Sequence, residues 1–216
     1  MIIKRRWKMS IPDKSIDPRL LDSARQEFLK KGYLKTELKT ICENAGVTTG
    51  AVYKRYKGKE ELFCAVVQDT VEALDQFIRS RTNLDFPAMT DDQIYASWIM
   101  NETYMLDMFR MLWGHREGFV LLINMSAGTR YENFQHDFVE SMSGAYEQFY
   151  KAAKNRGFAK ADVSRAELHV LCSSFWTSIY EPFIHSMSWE EVEKHCKVVC
   201  RFFDWAAAIG LEKRDE

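Results

Sequence analysis

No stretch of the chain stays apolar for the roughly 18 residues a membrane-crossing helix needs. The charged opening MIIKRRWKMS leads into no apolar core of a secretory signal. The expectation is a cytoplasmic protein with no membrane partner. Proline is scarce, with 4 in 216 residues, and glycine numbers only 10, which argues against a linker-rich or turn-rich β chain. The five cysteines, Cys42, Cys64, Cys172, Cys196 and Cys200, are odd in number and contain no C-x-x-C pair. Neither a disulfide framework nor a zinc site is expected from them. Cys196 and Cys200 are spaced to share one helix face beside His195, but no second ligand pair accompanies them, and they read as small buried hydrophobes. The histidines, His115, His136, His169, His185 and His195, fall in no nucleophile or metal motif, and His185 with Glu181 reads as a structural i,i+4 pair. No catalytic residue, metal or cofactor is assigned, and an enzyme is not expected.

What is present is an uneven distribution of charge. Residues 1–60 hold 15 Lys and Arg against 7 Asp and Glu, a net +8, whereas residues 61–216 hold 15 against 24, a net −9. A basic front on an acidic remainder suits a polyanionic partner for the front alone. The run KRRWK (4–8) is open to two readings, a basic arm entering a minor groove or a solvated terminus.

The periodicity is helical throughout, with no convincing alternating strand and no repeat, so the fold class is all-α. Asp17-Pro18 starts a helix whose apolar face is Leu20, Leu21, Ala24, Phe28 and Leu29, with Gly32 as its stop. Thr36 is expected to cap a second helix faced by Leu38, Ile41, Cys42 and Ala45, ended by Gly46. Thr48 opens a short third one carrying Val52, Tyr53 and Tyr56. A long amphipathic helix follows from Lys59 to about Arg81, and further helices are expected over 91–113, 115–124, 129–156, 163–186 and 189–209.

Two short helices joined by a glycine turn, LKTICENAGVTTGAVYKRY, have the pattern of a helix-turn-helix, whose second helix enters the major groove. Gly50 lets backbone approach DNA, Thr48 and Thr49 offer hydroxyls, Tyr53 a phenol, and Lys54 and Lys59 positive charge for phosphate. Arg55 suits either phosphate or a guanine edge. The run RLLDSARQEFLKKGYLKTELKTICENAGVTTGAVYKRYKGKEELFCAVV (19–67) resembles the DNA-binding domain of TetR-type transcriptional regulators. The ordered parts that carry the resemblance are F-x-x-x-G-Y, the following Thr, I-x-x-x-A-G-V, G-x-x-Y-x-x-Y and K-x-K-E-E-L-F. The resemblance implies DNA contacts from Thr36, Thr48, Thr49, Gly50, Ala51, Tyr53, Lys54, Arg55 and Lys59. Glu37 and Gly58 depart from the family's usual small polar residue and helix cap.

The chain is expected to divide into a basic N-terminal arm (1–16), a helix-turn-helix domain (17–62) and, as the resemblance implies, a ligand-binding and dimerisation domain (63–216). The expected partners are a near-palindromic double-stranded operator, a second copy of the chain, and a small apolar or aromatic effector that releases a repressor; control by a protein partner is the alternative. Candidate ligand contacts in the Met- and aromatic-rich middle are Trp98, Asn101, Glu102, Met105, Phe109, Trp113, Asn124, Phe138 and Trp176. Two apolar stripes, Leu168, Leu171, Phe175 and Ile179, then Val192, Cys196, Val199 and Phe203, are the expected dimer surface.

Overall fold

The computed structural model describes residues 18–82, 85 and 88–212. Over these residues the chain is all-α, relieved only by an isolated bridge between Ala159 and Leu211. The helices are α1 (Pro18–Lys35), α2 (Leu38–Ala45), α3 (Thr49–Tyr53), α4 (Lys59–Thr82), α5 (Asp91–Ala96), α6 (Glu102–Gly114), α7 (Arg116–Asn124), α8 (Phe134–Asn155), α9 (Arg165–Ile184), α10 (Trp189–Phe202) and α11 (Trp205–Ala208). The basic arm expected over 1–16 lies outside the described residues. The contacts divide the chain into two units, one up to Gln76 together with Gly114–Gln135, the other Phe77–Trp113 with His136 onward.

In the first unit, Leu20, Ala24 and Phe28 recur every four residues on α1 and are fully buried. Phe28 meets Phe63 of α4 edge-on, with ring centres 5.1 Å apart. Gly32, at φ 72° and ψ 164°, breaks the helical path of α1 at a backbone geometry that glycine adopts without a Cβ clash. The end of α2 is a left-handed Gly46 at φ 68°, with the Val47 amide donating 3.0 Å to the Cys42 carbonyl. Glu27 ties α1 to α2: its buried carboxylate meets Lys31 at 2.8 Å and accepts from Asn44 at 3.2 Å. The Lys31 hydrogen bond holds that carboxyl below the usual carboxylate range.

The sequence places a domain boundary between residues 62 and 63, but α7 packs with the first unit. It lies against α1, and the Met125 carbonyl at its end accepts the Tyr33 amide at 3.0 Å. Gly118 makes this close approach possible, since a Cβ there would stand 2.0 Å from Oγ1 of the buried Thr70 on α4.

In the second unit three helices begin with reciprocal capping boxes, Thr90 with Gln93, Ser164 with Glu167 and Ser188 with Glu191. The helix expected over 91–113 is two helices. Asn101 restarts the chain at α6 by accepting the Tyr104 amide at 2.9 Å. The helix expected over 189–209 is also divided, because Asp204 caps the short α11 through the Ala207 amide at 2.9 Å. In the first unit, the helix expected from 129 starts instead at Phe134. Ser126 and Thr129 donate to the Leu122 and Ser126 carbonyls and hold the preceding turn.

Gly118→Ala is expected to destabilise the chain by about 1–3 kcal/mol through overpacking against Thr70. Thr70→Ala in the same chain should recover part of that loss. Urea denaturation of the two single variants and the double variant measures the coupling; strictly additive effects would show that the two side chains do not compete for space.

Candidate nucleic-acid interface

The glycine turn after α2 delivers the chain to Thr48, whose backbone is extended and whose hydroxyl oxygen accepts the Ala51 amide at 3.2 Å. Thr48 is therefore the cap of α3. Val52 is fully buried and Tyr56 nearly so, which fixes the roll of this segment. Thr49, Gly50, Tyr53, Lys54 and Arg55 are left exposed and Ala51 half-buried, Tyr53 with 62% of its surface open. Lys35 and Lys57 are further exposed cations of the unit that were not singled out from the sequence.

Two of the expected contacts are engaged inside the chain, and the expected cap role of Thr36 is corrected. Thr36 does not cap α2; the residue in that position is Glu37, whose side chain makes no capping bond. Thr36 is 2% exposed, and its hydroxyl is shared between the Gly32 carbonyl at 2.8 Å and the Glu27 carbonyl at 3.1 Å. The Gly32 carbonyl lies where the helical ladder of α1 is interrupted. Lys59 also turns inward. Its ammonium donates to the carbonyls of Tyr33 at 2.7 Å, Thr36 at 2.8 Å and Leu34 at 3.4 Å, and stands 4.3 Å from the centre of the Tyr33 ring. An ammonium has three N–H bonds, and here each has a carbonyl. Burial pushes its pKa below the usual lysine value. Both residues belong to the scaffold that presents the interface.

The second unit places the remaining candidates. Trp98, Met105, Phe109 and Trp176 are buried, and Trp113 and Phe138 are half-buried. Phe138 stacks on Trp176 at 3.9 Å between ring centres, while Phe109 and Trp113 both approach Phe183, at 6.4 and 6.3 Å. Trp98 and Trp205 flank Tyr146 at 5.9 and 4.5 Å, and both indole Nε1 atoms are buried with no hydrogen-bond partner among the described residues. The polar candidates do not join these rings. Asn101 caps α6, Glu102 is exposed, and Asn124 is exposed at the end of α7 in the other unit.

The expected dimer stripes face inward. Leu168, Phe175, Ile179, Val192, Cys196, Val199 and Phe203 are all buried within the single chain, and Leu171 is half-buried. The most apolar side chains of α9 and α10 form core contacts such as Phe175 on Phe203 at 5.1 Å. The large apolar residues left outside are Val170 on α9 and Val198 and Phe202 on α10, at 62%, 61% and 78% exposure.

A capped short helix held by a left-handed glycine turn, with its outer face carrying hydroxyls, a phenol and cations, defines a helix-turn-helix protein. Residues 20–66 match the family model described as bacterial regulatory proteins, tetR family. Over the same region the chain is 35% identical, across 66 residues, to the HTH-type transcriptional regulator TtgR of Pseudomonas putida, covering 31% of each protein. It is 35% identical over 71 residues to the transposon Tn10 TetC protein of Escherichia coli, covering 33% of this chain and 36% of that protein. The matched segment spans about a third of these curated relatives. Among solved structures, a TetR family member from Streptomyces coelicolor is similar over 95% of this chain and 96% of its own, with a TM-score of 0.58 and 20% identity. SmeT, the repressor of the Stenotrophomonas maltophilia efflux pump SmeDEF, is similar over 90% of both chains, with a TM-score of 0.57 and 19% identity. Residues 20–66 therefore form a DNA-binding domain of the tetR family type.

Lys59→Ala is expected to lower stability by about 2 kcal/mol, the scale of hydrogen bonds from a charged donor. The dependence of DNA affinity on salt should be unchanged. Thermal melts and titrations at several salt concentrations check both; a flattened salt slope with an unaltered melt would return Lys59 to a phosphate.

Proposed function

We propose that this chain is a homodimeric, operator-binding transcriptional repressor released by a small, largely apolar ligand. The observation that carries the reading is the exposure pattern of residues 48–56, where Val52 and Tyr56 anchor the segment while Thr49, Tyr53, Lys54 and Arg55 stay open. Thr49 and Tyr53 offer hydroxyls to backbone or base edges, Lys54 neutralises phosphate, and Arg55 takes phosphate or a guanine edge. Gly50 keeps this face low enough for close backbone approach. Thr48, Ala51 and Lys59 position the face.

The dimer is assigned to the outer faces of α9 and α10. On α9 the hydroxyls of Ser174, Thr177 and Ser178 donate back to the carbonyls of Val170, Ser173 and Ser174, which leaves a smooth surface of small residues. Val170, Val198 and Phe202 supply its apolar area. Twofold pairing matches a near-palindromic operator. The ligand is assigned to the aromatic interior of the second unit. The indole donors of Trp98 and Trp205 favour a flat molecule that carries hydrogen-bond acceptors. Binding would favour a conformation whose recognition segments no longer match the half-site spacing.

Arg55→Ala is expected to reduce the slope of log affinity against log salt by about one unit if the guanidinium meets phosphate. Tyr53→Phe should weaken operator binding with an unchanged melt. Fluorescence anisotropy on a duplex operator and thermal melts measure both, and a large stability loss on Tyr53→Phe would make the phenol structural. Phe202→Glu is expected to give a folded monomer by sedimentation velocity. An unaltered dimer would remove α10 from the interface.

A further inference from the structure

Cys196 and Cys200 have no part in the reading above, which assigns DNA contact to residues 48–56 and dimerisation to the outer faces of α9 and α10. They sit one turn apart on α10, near enough for each thiol to shift the other's pKa. Cys196 is 1% exposed on the inner face of the helix, beside the buried Val192 and Val199, whereas Cys200 is half-buried and reachable. Cys42 and Cys64 lie in the other unit; Cys64 neighbours Tyr131, and Cys172 neighbours Ser143.

Geometry decides what such a pair can take. Cβ atoms one helical turn apart stand about 5–6 Å from each other, and a disulfide needs them within about 4.5 Å. A direct S–S bond would unwind α10. A single bridging atom bonded to both sulfurs spans the extra distance with the helix intact. A divalent soft cation needs both thiols ionised. Here burial pushes both thiols up, Cys196 to about 12, and the nearby Glu102 carboxylate pushes the same way. No third donor completes a metal-binding cluster among the described residues. The ligand that fits is one that reacts with neutral thiols and leaves a neutral product.

We propose that Cys196 and Cys200 form a covalent site for trivalent arsenicals of the type R–As(OH)2. Cys200 reacts first from the accessible side and Cys196 closes the chelate. Two As–O bonds break and two As–S bonds form. Each thiol proton leaves with a hydroxide as water, so two waters are released and arsenic stays trivalent. The product carries no charge and suits the apolar surroundings of Val192 and Val199. Closing the second bond within one helix face raises affinity through effective concentration, by about 100-fold or more over a single thiol.

The test uses the reduced full chain and methylarsonous acid, read by intact mass under native conditions. The wild-type chain and a Cys42→Ser/Cys64→Ser/Cys172→Ser variant should each take one methylarsenic group, and a small competing dithiol should remove it. Cys200→Ser, with its helical circular dichroism unchanged, should bind about 100-fold more weakly or worse. Alkylation of the arsenical-treated wild-type chain with iodoacetamide, mapped by peptide mass, should find Cys196 and Cys200 protected together. The proposal is overturned if Cys200→Ser binds as tightly as wild type, if the triple variant takes none, or if either thiol of the pair is still alkylated.

Discussion

The Lys59 ammonium gathers the carbonyls of Tyr33, Leu34 and Thr36 around one positive charge, and the placement of the recognition segment follows from that. Gly32 has opened the end of α1, and the Tyr33 carbonyl, which already accepts the Thr36 amide at 3.3 Å, takes the ammonium as a second donor. The Thr36 hydroxyl closes the same turn from the other side through the Glu27 and Gly32 carbonyls. With α2 only 8 residues long and α3 only 5, neither is stable by itself in water. Their direction is inherited from this turn and from the contacts of Val52, Ile41 and Ala45 beneath them.

Much of this was legible in the residues. The first four helices and the glycine turn at Gly46 follow from apolar spacing and punctuation, and the two glycines sit at positive φ as their role requires. The identity of the partner atoms was not legible. A threonine and a lysine beside a DNA-reading segment suit phosphate in any sequence argument, and only the fold shows that carbonyls 23 and 26 residues earlier in the chain occupy the lysine. The breaks inside 91–113 and 189–209 had signals in Asn101 and Asp204, side chains suited to capping that the strong apolar periodicity concealed. The inward turn of the α9 and α10 stripes could not be read either, because a stripe has the same pattern whether it faces its own chain or another.

The second unit is organised by rings. Tyr146 lies between Trp98 and Trp205, and Trp205 in turn meets Phe175 and Phe203, so the aromatic contacts run from α5's end through α8 to α9 and α11. Tyr146 is raised well above the usual phenol pKa, chiefly by burial. Its phenol stays neutral at any physiological pH, and the one buried carboxylate among the described residues, Glu27, lies in the other unit. What these rings offer chemically is shape and the hydrogen-bond donors of Trp98 and Trp205.

The close crossing of Gly118 on Thr70 has a consequence for the order in which the chain is made. The first unit is discontinuous in sequence, with residues 114–135 filling against α1 and α4. During vectorial synthesis residues 18–76 emerge with one side of their core uncovered, and the missing wall is some forty residues behind them. The DNA-reading segment is translated before the wall it packs against, so its unit completes its core only once the middle of the chain has followed it out.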